Sequence, residues 1–294
     1  MIRVGIAGWS YPDWAGVVYP ARGAGRVDRL ALLAEYFSTI EINTTFYRIP
    51  DRAMTASWAA RVQGRPDFRF TVKLFKGFTH RRPEPGGVDA SSFRRALEPL
   101  AGAGLLGAIL VQFPYSFHPS PASREIMGTL FESFRDYPLV VEVRHADWDK
   151  REFLEFLEAR GVGFCNIDQP AVSRSLGPTE IATSRVGYVR LHGRNAENWF
   201  RKDASPSARY DYLYSEEELS PWVDRVRRIA EQAADVFVIA NNHYRGKGPL
   251  GALTLLSMLT GRPVPVPPEL AAAYPQIAPR AIIRKPAQKP LFRD

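Results

Sequence analysis

Apolar positions along the chain follow two rhythms, a period near two over short runs and a period near 3.6 over longer ones, the marks of strand and helix. The strand-like runs are Arg3 to Ala7, Thr39 to Asn43, Phe68 to Lys73, Leu106 to Gln112, Leu139 to Arg144, Val162 to Asp168, Val186 to His192 and Val236 to Asn241. Between them lie helical stretches: Asp28 to Phe37, Asp51 to Val62, Asp89 to Ala101, Pro121 to Phe134, Asp149 to Arg160, a helix ending near Ala234, and Leu250 to Leu259. Ser120-Pro121 supplies an N-cap and a proline at the first helical position, and Gly161 stands where a helix stops. Ser215 with Glu218 offers a capping box, and Ser220-Pro221 a second start one turn later. The return from Gln169 to Arg185 carries Pro170, Gly177 and Pro178, so the sixth helix is expected to be short or missing.

Eight strands alternating with mostly helical returns predict an α/β fold, a TIM-type (β/α)8 barrel over residues 1–261 as a single domain. A doubly wound open sheet is the rival, and no GxGxxG follows the first strand to support it. Residues 262–294 make a basic tail rich in proline, from Pro263 to Pro290. That composition resists helix and sheet interiors and predicts an extended arm packed on or extending from the barrel.

The segment Gly187 to Asn195, GYVRLHGRN, puts Val189 and Leu191 on one face and Tyr188, Arg190 and His192 on the other. The same parity applied to each strand gathers polar groups at C-terminal ends: Glu41 and Asn43, Lys73, Gln112, Glu142 and Arg144, Asn166 and Asp168, Arg190 and His192, Asn242. The C-terminal mouth is where barrels of this class carry their sites. Mutual neutralisation, Glu41 with Lys73 and Glu142 with Arg144, is the structural alternative, but buried ion pairs are seldom favoured over apolar packing for stability alone. A second signal is the loop NNHYRGKGPLGAL, Asn241 to Leu253, where Gly246, Gly248 and Gly251 would let backbone approach an oxyanion ahead of a helix start. Aromatic residues, among them Trp9, Tyr11, Phe46 and Tyr47, fall near the same end as stacking surfaces or as packing.

Composition adds three constraints. A net charge of +8 favours anionic partners without choosing among phosphorylated metabolites, nucleic acid and acidic surfaces. The single cysteine, Cys165, excludes an intrachain disulfide and points to a reducing compartment. No signal sequence and no apolar run long enough for a membrane span are evident, so a cytoplasmic protein without a membrane partner is expected.

The leading expectation is an enzyme that binds a phosphate- or carboxylate-bearing small molecule at the mouth. Arg190, Arg194 and Lys73 would hold the anion, with Arg144, Asn195, Asn43, Tyr47, Trp9, Asn242, His243, Gly246 and Gly248 completing the site. Glu41 or Glu142 would act as general base and His192 or Asp168 as the acid. No cofactor is predicted. A divalent metal on Glu41, Glu142, Asp168, His145, His192 or His243 is the alternative, disfavoured by the competing cations and the lack of HxH or HExxH spacing. His80 and His118 read as solvated loop residues. Two rival functions stand: a metal-dependent nucleic-acid processing protein resembling a DNA-repair nuclease, and a non-catalytic ligand sensor or adaptor.

The chain also resembles the YecE-like family, domain of unknown function 72. The segments that carry the resemblance are GWSYPDWAGVVYP at 8–20, EINTTFYRIP at 41–50, FTVKLFK at 70–76, VQFPYSF at 111–117, VEVRHADW at 141–148, YVRLHGRN at 188–195 and NNHY at 241–244. The resemblance implies a TIM-type barrel and assigns no reaction. The RGKG continuation after Tyr244 is more basic than the family's usual small residues there.

Overall fold

The structure, a computed structural model, describes residues 1–21, 27–80, 89–199, 201 and 206–286. Strands β1 (Ile2–Ala7), β2 (Thr39–Ile42), β3 (Arg69–Lys73), β4 (Leu106–Gln112), β5 (Leu139–Glu142), β6 (Gly163–Asp168), β7 (Val186–Leu191) and β8 (Asp235–Ala240) pair in parallel and in chain order, and β8 returns to β1 to close a barrel. The main helical returns are α1 (Arg29–Leu33), α2 (Arg52–Arg61), α3 (Ala90–Gly102), α4 (Pro121–Ser133), α5 (Arg151–Glu158), α6 (Glu216–Gln232) and α7 (Lys247–Thr260). Between β6 and β7 residues 169–185 contain no helix.

Local chemistry explains the helix starts. Asp28, Asp51, Asp89 and Ser120 each accept a hydrogen bond from a backbone N–H of the first turn they cap. Of the two starts open for α6, the chain uses Ser215 with Glu218, a complete capping box, and carries Pro221 inside the helix. The first helix is shorter than its pattern suggests. After Leu33 the chain tightens into turns, Glu35 N–H to Leu32 O at 3.0 Å and Tyr36 N–H to Leu33 O at 3.0 Å.

The proline-rich tail is more regular than an extended arm. Val264–Val266 and Ala281–Ile283 form a small parallel sheet, with a helix over Pro268–Ala273 between them. Composition misled because proline is well suited to the first turn of a helix and to a two-stranded edge, both of which the tail uses. Val264, Val266, Leu270 and Ile277 are buried in the same apolar cluster as the barrel core. The end of the tail, Pro290 included, lies outside the described residues.

Neighbours in a parallel ladder share a face, so register settles which side chains enter the barrel. Glu41 lies beside Thr71, Gln112 beside Glu142, Cys165 beside Tyr188, Ile167 beside Arg190, and Arg190 beside Ile239. These are the inward residues. Asn166 pairs with Val189, Asp168 with Leu191, and Leu191 with Ala240. Those are the outward ones, which corrects the expected placement of Asn166 and Asp168, and of Asn242 two residues beyond Ala240.

Candidate functional site

At the barrel centre Arg190, 1% exposed, bridges two fully buried carboxylates, Nη2 to Glu41 Oε1 at 2.6 Å and Nη1 to Glu142 Oε2 at 2.6 Å. Glu41 Oε2 accepts from the Tyr188 hydroxyl at 2.9 Å, and that hydroxyl lies 2.7 Å from Thr71 Oγ1. Glu142 Oε1 accepts from Arg144 Nε at 2.9 Å and lies 2.8 Å from Arg144 Nη2. Burial pushes the Glu142 carboxyl up, but Arg190, Arg144 and His192 outweigh it and hold the group well below the usual carboxylate range.

His192 is fully buried beside this network. Asn241 Nδ2 stands 3.0 Å from its Nδ1, which leaves the imidazole proton on Nε2, 3.3 Å from Glu142 Oε1. Burial, only partly offset by Glu142, lowers its pKa to about 3. The ring is therefore neutral at physiological pH, which argues against the acid role expected for it. Glu41 and Glu142 differ from expectation in the same way. Each carboxylate oxygen already accepts a hydrogen bond, so the pair holds guanidinium groups in place rather than presenting a free base.

Above the network opens a cavity of about 450 Å³ at the C-terminal mouth. Its polar lining includes Asn43, Lys73, Arg144, Arg190, Asn241 and His243. Its aromatic walls include Trp9, Tyr11, Phe46, Tyr47, Trp58 and Tyr210. Trp9 meets Trp58 edge to face at 5.6 Å, and Tyr11 stacks on His243 at 4.1 Å. Asn43 Oδ1, Arg190 Nε and His243 Nδ1 are buried polar atoms with no hydrogen-bond partner among the described residues. Unmet hydrogen-bonding capacity at a cavity is unfavourable for stability and available to a ligand.

Lys73 ends β3 with its ammonium 3.9 Å from the centroid of the Phe46 ring. No ion pair or hydrogen bond of its Nζ is found among the described residues, and each oxygen of the two nearby glutamates accepts from another side chain. Burial, then the Arg190 guanidinium, lower its pKa to about 7.

Of the expected site residues, Trp9, Asn43, Tyr47, Lys73, Arg144, Arg190 and His243 line the cavity, and Glu41, Glu142 and His192 lie in the interior beneath. The others sit elsewhere. Asp168 accepts from Arg194 Nε at 2.9 Å, Arg194 Nη2 at 2.7 Å and Trp222 Nε1 at 2.6 Å, so this pair fastens α6 to the barrel wall. Asn195 Nδ2 donates to the carbonyls of Ala208 and Asp211, and Asn242 Nδ2 to that of Tyr212.

The glycine loop after β8 also departs from expectation. Gly246 has φ +76° and would bring an added Cβ within 2.9 Å of Val17, so it serves a left-handed turn against the β1 loop. Gly248 packs its Cα against the Asn242 carbonyl, 3.3 Å from where a Cβ would lie. The Arg245 N–H donates to Asp13 Oδ2 and Lys247 pairs with Asp211. The Lys247 ammonium and the Arg245 backbone N–H thus already serve carboxylates of this chain, and the Gly246 N–H donates to the His243 carbonyl.

The side chains offered as metal ligands at strand ends do not form a common cluster. Among the described residues, the group of His, Cys, Asp and Glu close enough to share an ion is His118, His145 and Asp147. Arg174 Nη2 already donates to Asp147 Oδ1 at 2.6 Å there. Parity missed Asn241 by one residue, and sequence offered no signal for Trp58 or Tyr210, which reach the cavity from a helix and a long return.

Fold and site define a (β/α)8 barrel with an aromatic-walled, partly cationic cavity at its C-terminal mouth. The chain belongs to the family described as "Protein of unknown function DUF72", which it matches over residues 3–274. It is 28% identical to UPF0759 protein YunF of Bacillus subtilis (strain 168) across 88% of this chain and 95% of that protein. Identity to UPF0759 protein YecE of Escherichia coli O157:H7 is also 28%, across 58% of this chain and 61% of that one. Among solved structures it is similar to a DUF72 family protein (TM1631) from Thermotoga maritima MSB8, 35% identical, with a TM-score of 0.76 over 88% of this chain and 99% of that chain. A DUF72 family protein (EF0366) from Enterococcus faecalis V583 is 25% identical, with a TM-score of 0.76 over 88% of this chain and 96% of that one. The family resemblance and the barrel expected from sequence agree with these findings.

Proposed function

We propose that this protein is an enzyme acting on a small phosphate- or carboxylate-bearing substrate held in the mouth cavity. The observation that carries the reading is a charge imbalance: Lys73, Arg144 and Arg190 face the cavity, while the network beneath supplies Glu41 and Glu142. An anion completes that account. Arg144 keeps Nη1 without a partner among the described residues, and Lys73 Nζ lies over the Phe46 ring with no ion pair or hydrogen bond among them. Trp9, Phe46, Tyr47 and Trp58 offer apolar surface to the remainder of the substrate. A volume of about 450 Å³ suits a metabolite-sized ligand.

Catalysis rather than storage is supported by Lys73, whose pKa near 7 suits proton transfer at neutral pH. No helix among the described residues is long and apolar enough to cross a membrane. The free, buried Cys165 accords with a reducing compartment, and we assign the protein to the cytoplasm.

The test is a thermal-shift and calorimetric panel of phosphorylated and carboxylated metabolites beside their uncharged counterparts. Arg144→Ala should weaken binding of the anionic compounds about 10- to 100-fold, the loss of one charge-assisted contact of roughly 1.5–3 kcal/mol. Equal binding of charged and uncharged compounds, or indifference to Arg144→Ala, would remove the basis of the reading.

A further inference from the structure

Building on the reading that the mouth takes a small anionic substrate, we propose that Lys73 forms an imine with an aldehyde or ketone that carries a phosphate or carboxylate, while Arg144 holds the anionic group. The geometry begins with what Lys73 lacks. It sits at the inward end of β3 within reach of two carboxylates, yet every oxygen of both is taken: Glu41 by Arg190 and Tyr188, Glu142 by Arg190 and Arg144. A lysine retained for charge balance would occupy one of those oxygens. This one instead presents Nζ to the cavity with the Phe46 ring face at 3.9 Å and no hydrogen-bond acceptor among the described residues.

An amine in that setting is nucleophilic once neutral. Burial and Arg190 lower its pKa to about 7, which makes a neutral amine with a free lone pair accessible at neutral pH. Arg144 cannot compete as a nucleophile because a guanidinium stays protonated. It is 15% exposed at the cavity, is tied to Glu142 through Nε and Nη2, and can direct Nη1 at an anion.

The step balances without an oxidant or reductant. The Nζ lone pair attacks the carbonyl carbon, and the C=O π pair moves to oxygen. Both N–H protons pass to that oxygen, the C–O bond breaks, and one water leaves as C=N forms. When the imine takes up a proton, the iminium withdraws electrons from the adjacent carbon, the property that makes such lysines useful in cleaving or forming bonds there.

The experiment is trapping with cyanoborohydride, using glyoxylate and glyceraldehyde 3-phosphate as anionic probes and propanal as the uncharged one, followed by intact mass and peptide mapping. The expected result is one adduct per chain at Lys73, formed at least tenfold faster than at any of the other six lysines. Its rate should be half-maximal near pH 7, and Lys73→Arg should lose it. Mapping within the wild-type protein compares lysines internally, so the result does not depend on the variant folding.

Labelling spread over the other lysines, or a Lys73 rate still climbing above pH 9, overturns the proposal. Equal labelling of Lys73 by propanal keeps the reactive amine and overturns the anionic substrate. Binding of 3-phosphoglycerate, which lacks a carbonyl able to condense, together with no adduct at Lys73 overturns the imine and leaves the anion-binding reading intact.

Discussion

Arg190 holds two fully buried carboxylates at the floor of the cavity, and its removal should be felt in stability before function. Arg190→Met leaves Glu41 and Glu142 buried without that counter-charge, and equilibrium denaturation should record a loss of about 3–5 kcal/mol. Adding Glu41→Gln and Glu142→Gln to that variant should recover a large part of it, because uncompensated charge is the cause. His192 gives a pH signature. Its imidazole titrates near 6.5 when unfolded and near 3 when folded, so between those values the unfolded chain binds more protons. Stability therefore falls as pH drops from about 6.5 toward 3, by up to about 1.4 kcal/mol per pH unit. Denaturation midpoints across that range should show the slope, and His192→Gln should reduce it, leaving the part that comes from His80 and His243, which burial also lowers, each to about 4, before the depressed Glu142 carboxyl adds its own loss below. The alternation in GYVRLHGRN makes the central role of Arg190 legible in sequence. That its charge is already neutralised is not legible, because the partners lie on strands more than 40 residues away.

At the scale of elements, β6 shows where parity reasoning fails. Register turns Asn166 to the outside of the barrel, and a polar side chain is tolerated there where no apolar helix covers the strand. Here the sixth helix is missing, and the loop in its place needs hydrogen-bond partners for its backbone. Asn166 supplies them, accepting from the Ile181 N–H at 2.7 Å and donating to the Ile181 carbonyl at 2.8 Å. The same Pro and Gly pattern that predicts the missing helix thus accounts for a polar residue on the outer face that register assigns to Asn166. Asn166→Leu should release this loop, with faster hydrogen exchange at Ile181 and a loss of about 1–3 kcal/mol from each buried group left unsatisfied. The loop after β8 teaches a similar lesson. Glycines there read as an anion cradle, but Gly246 answers to a left-handed φ and to contact with Val17 and Val18. Gly246→Ala should therefore lower thermal stability without a specific loss of anion affinity, whereas a cradle would lose affinity first.

For the whole molecule, the barrel was legible because eight repeats of strand and return reinforce one another, and an error at one boundary leaves the count unchanged. The interior charge was legible for the same reason, since register is shared around a closed ladder. The cavity walls were legible only in part: Trp9, Tyr11, Phe46 and Tyr47 follow strand ends, whereas Trp58 and Tyr210 come from a helix and a long return that only closure brings to the mouth. The resulting picture is an electrically balanced floor beside one amine, Lys73, that has no ion pair among the described residues, at the mouth where we propose that an anion binds. The most direct test is calorimetry of 3-phosphoglycerate binding at pH 8 in buffers of different ionisation enthalpy. At that pH most Lys73 is neutral, so an anion seated beside it should draw a proton onto the amine. The account predicts uptake of most of one proton per chain, abolished in Lys73→Met; binding with no proton uptake, or uptake unchanged in Lys73→Met, would contradict it.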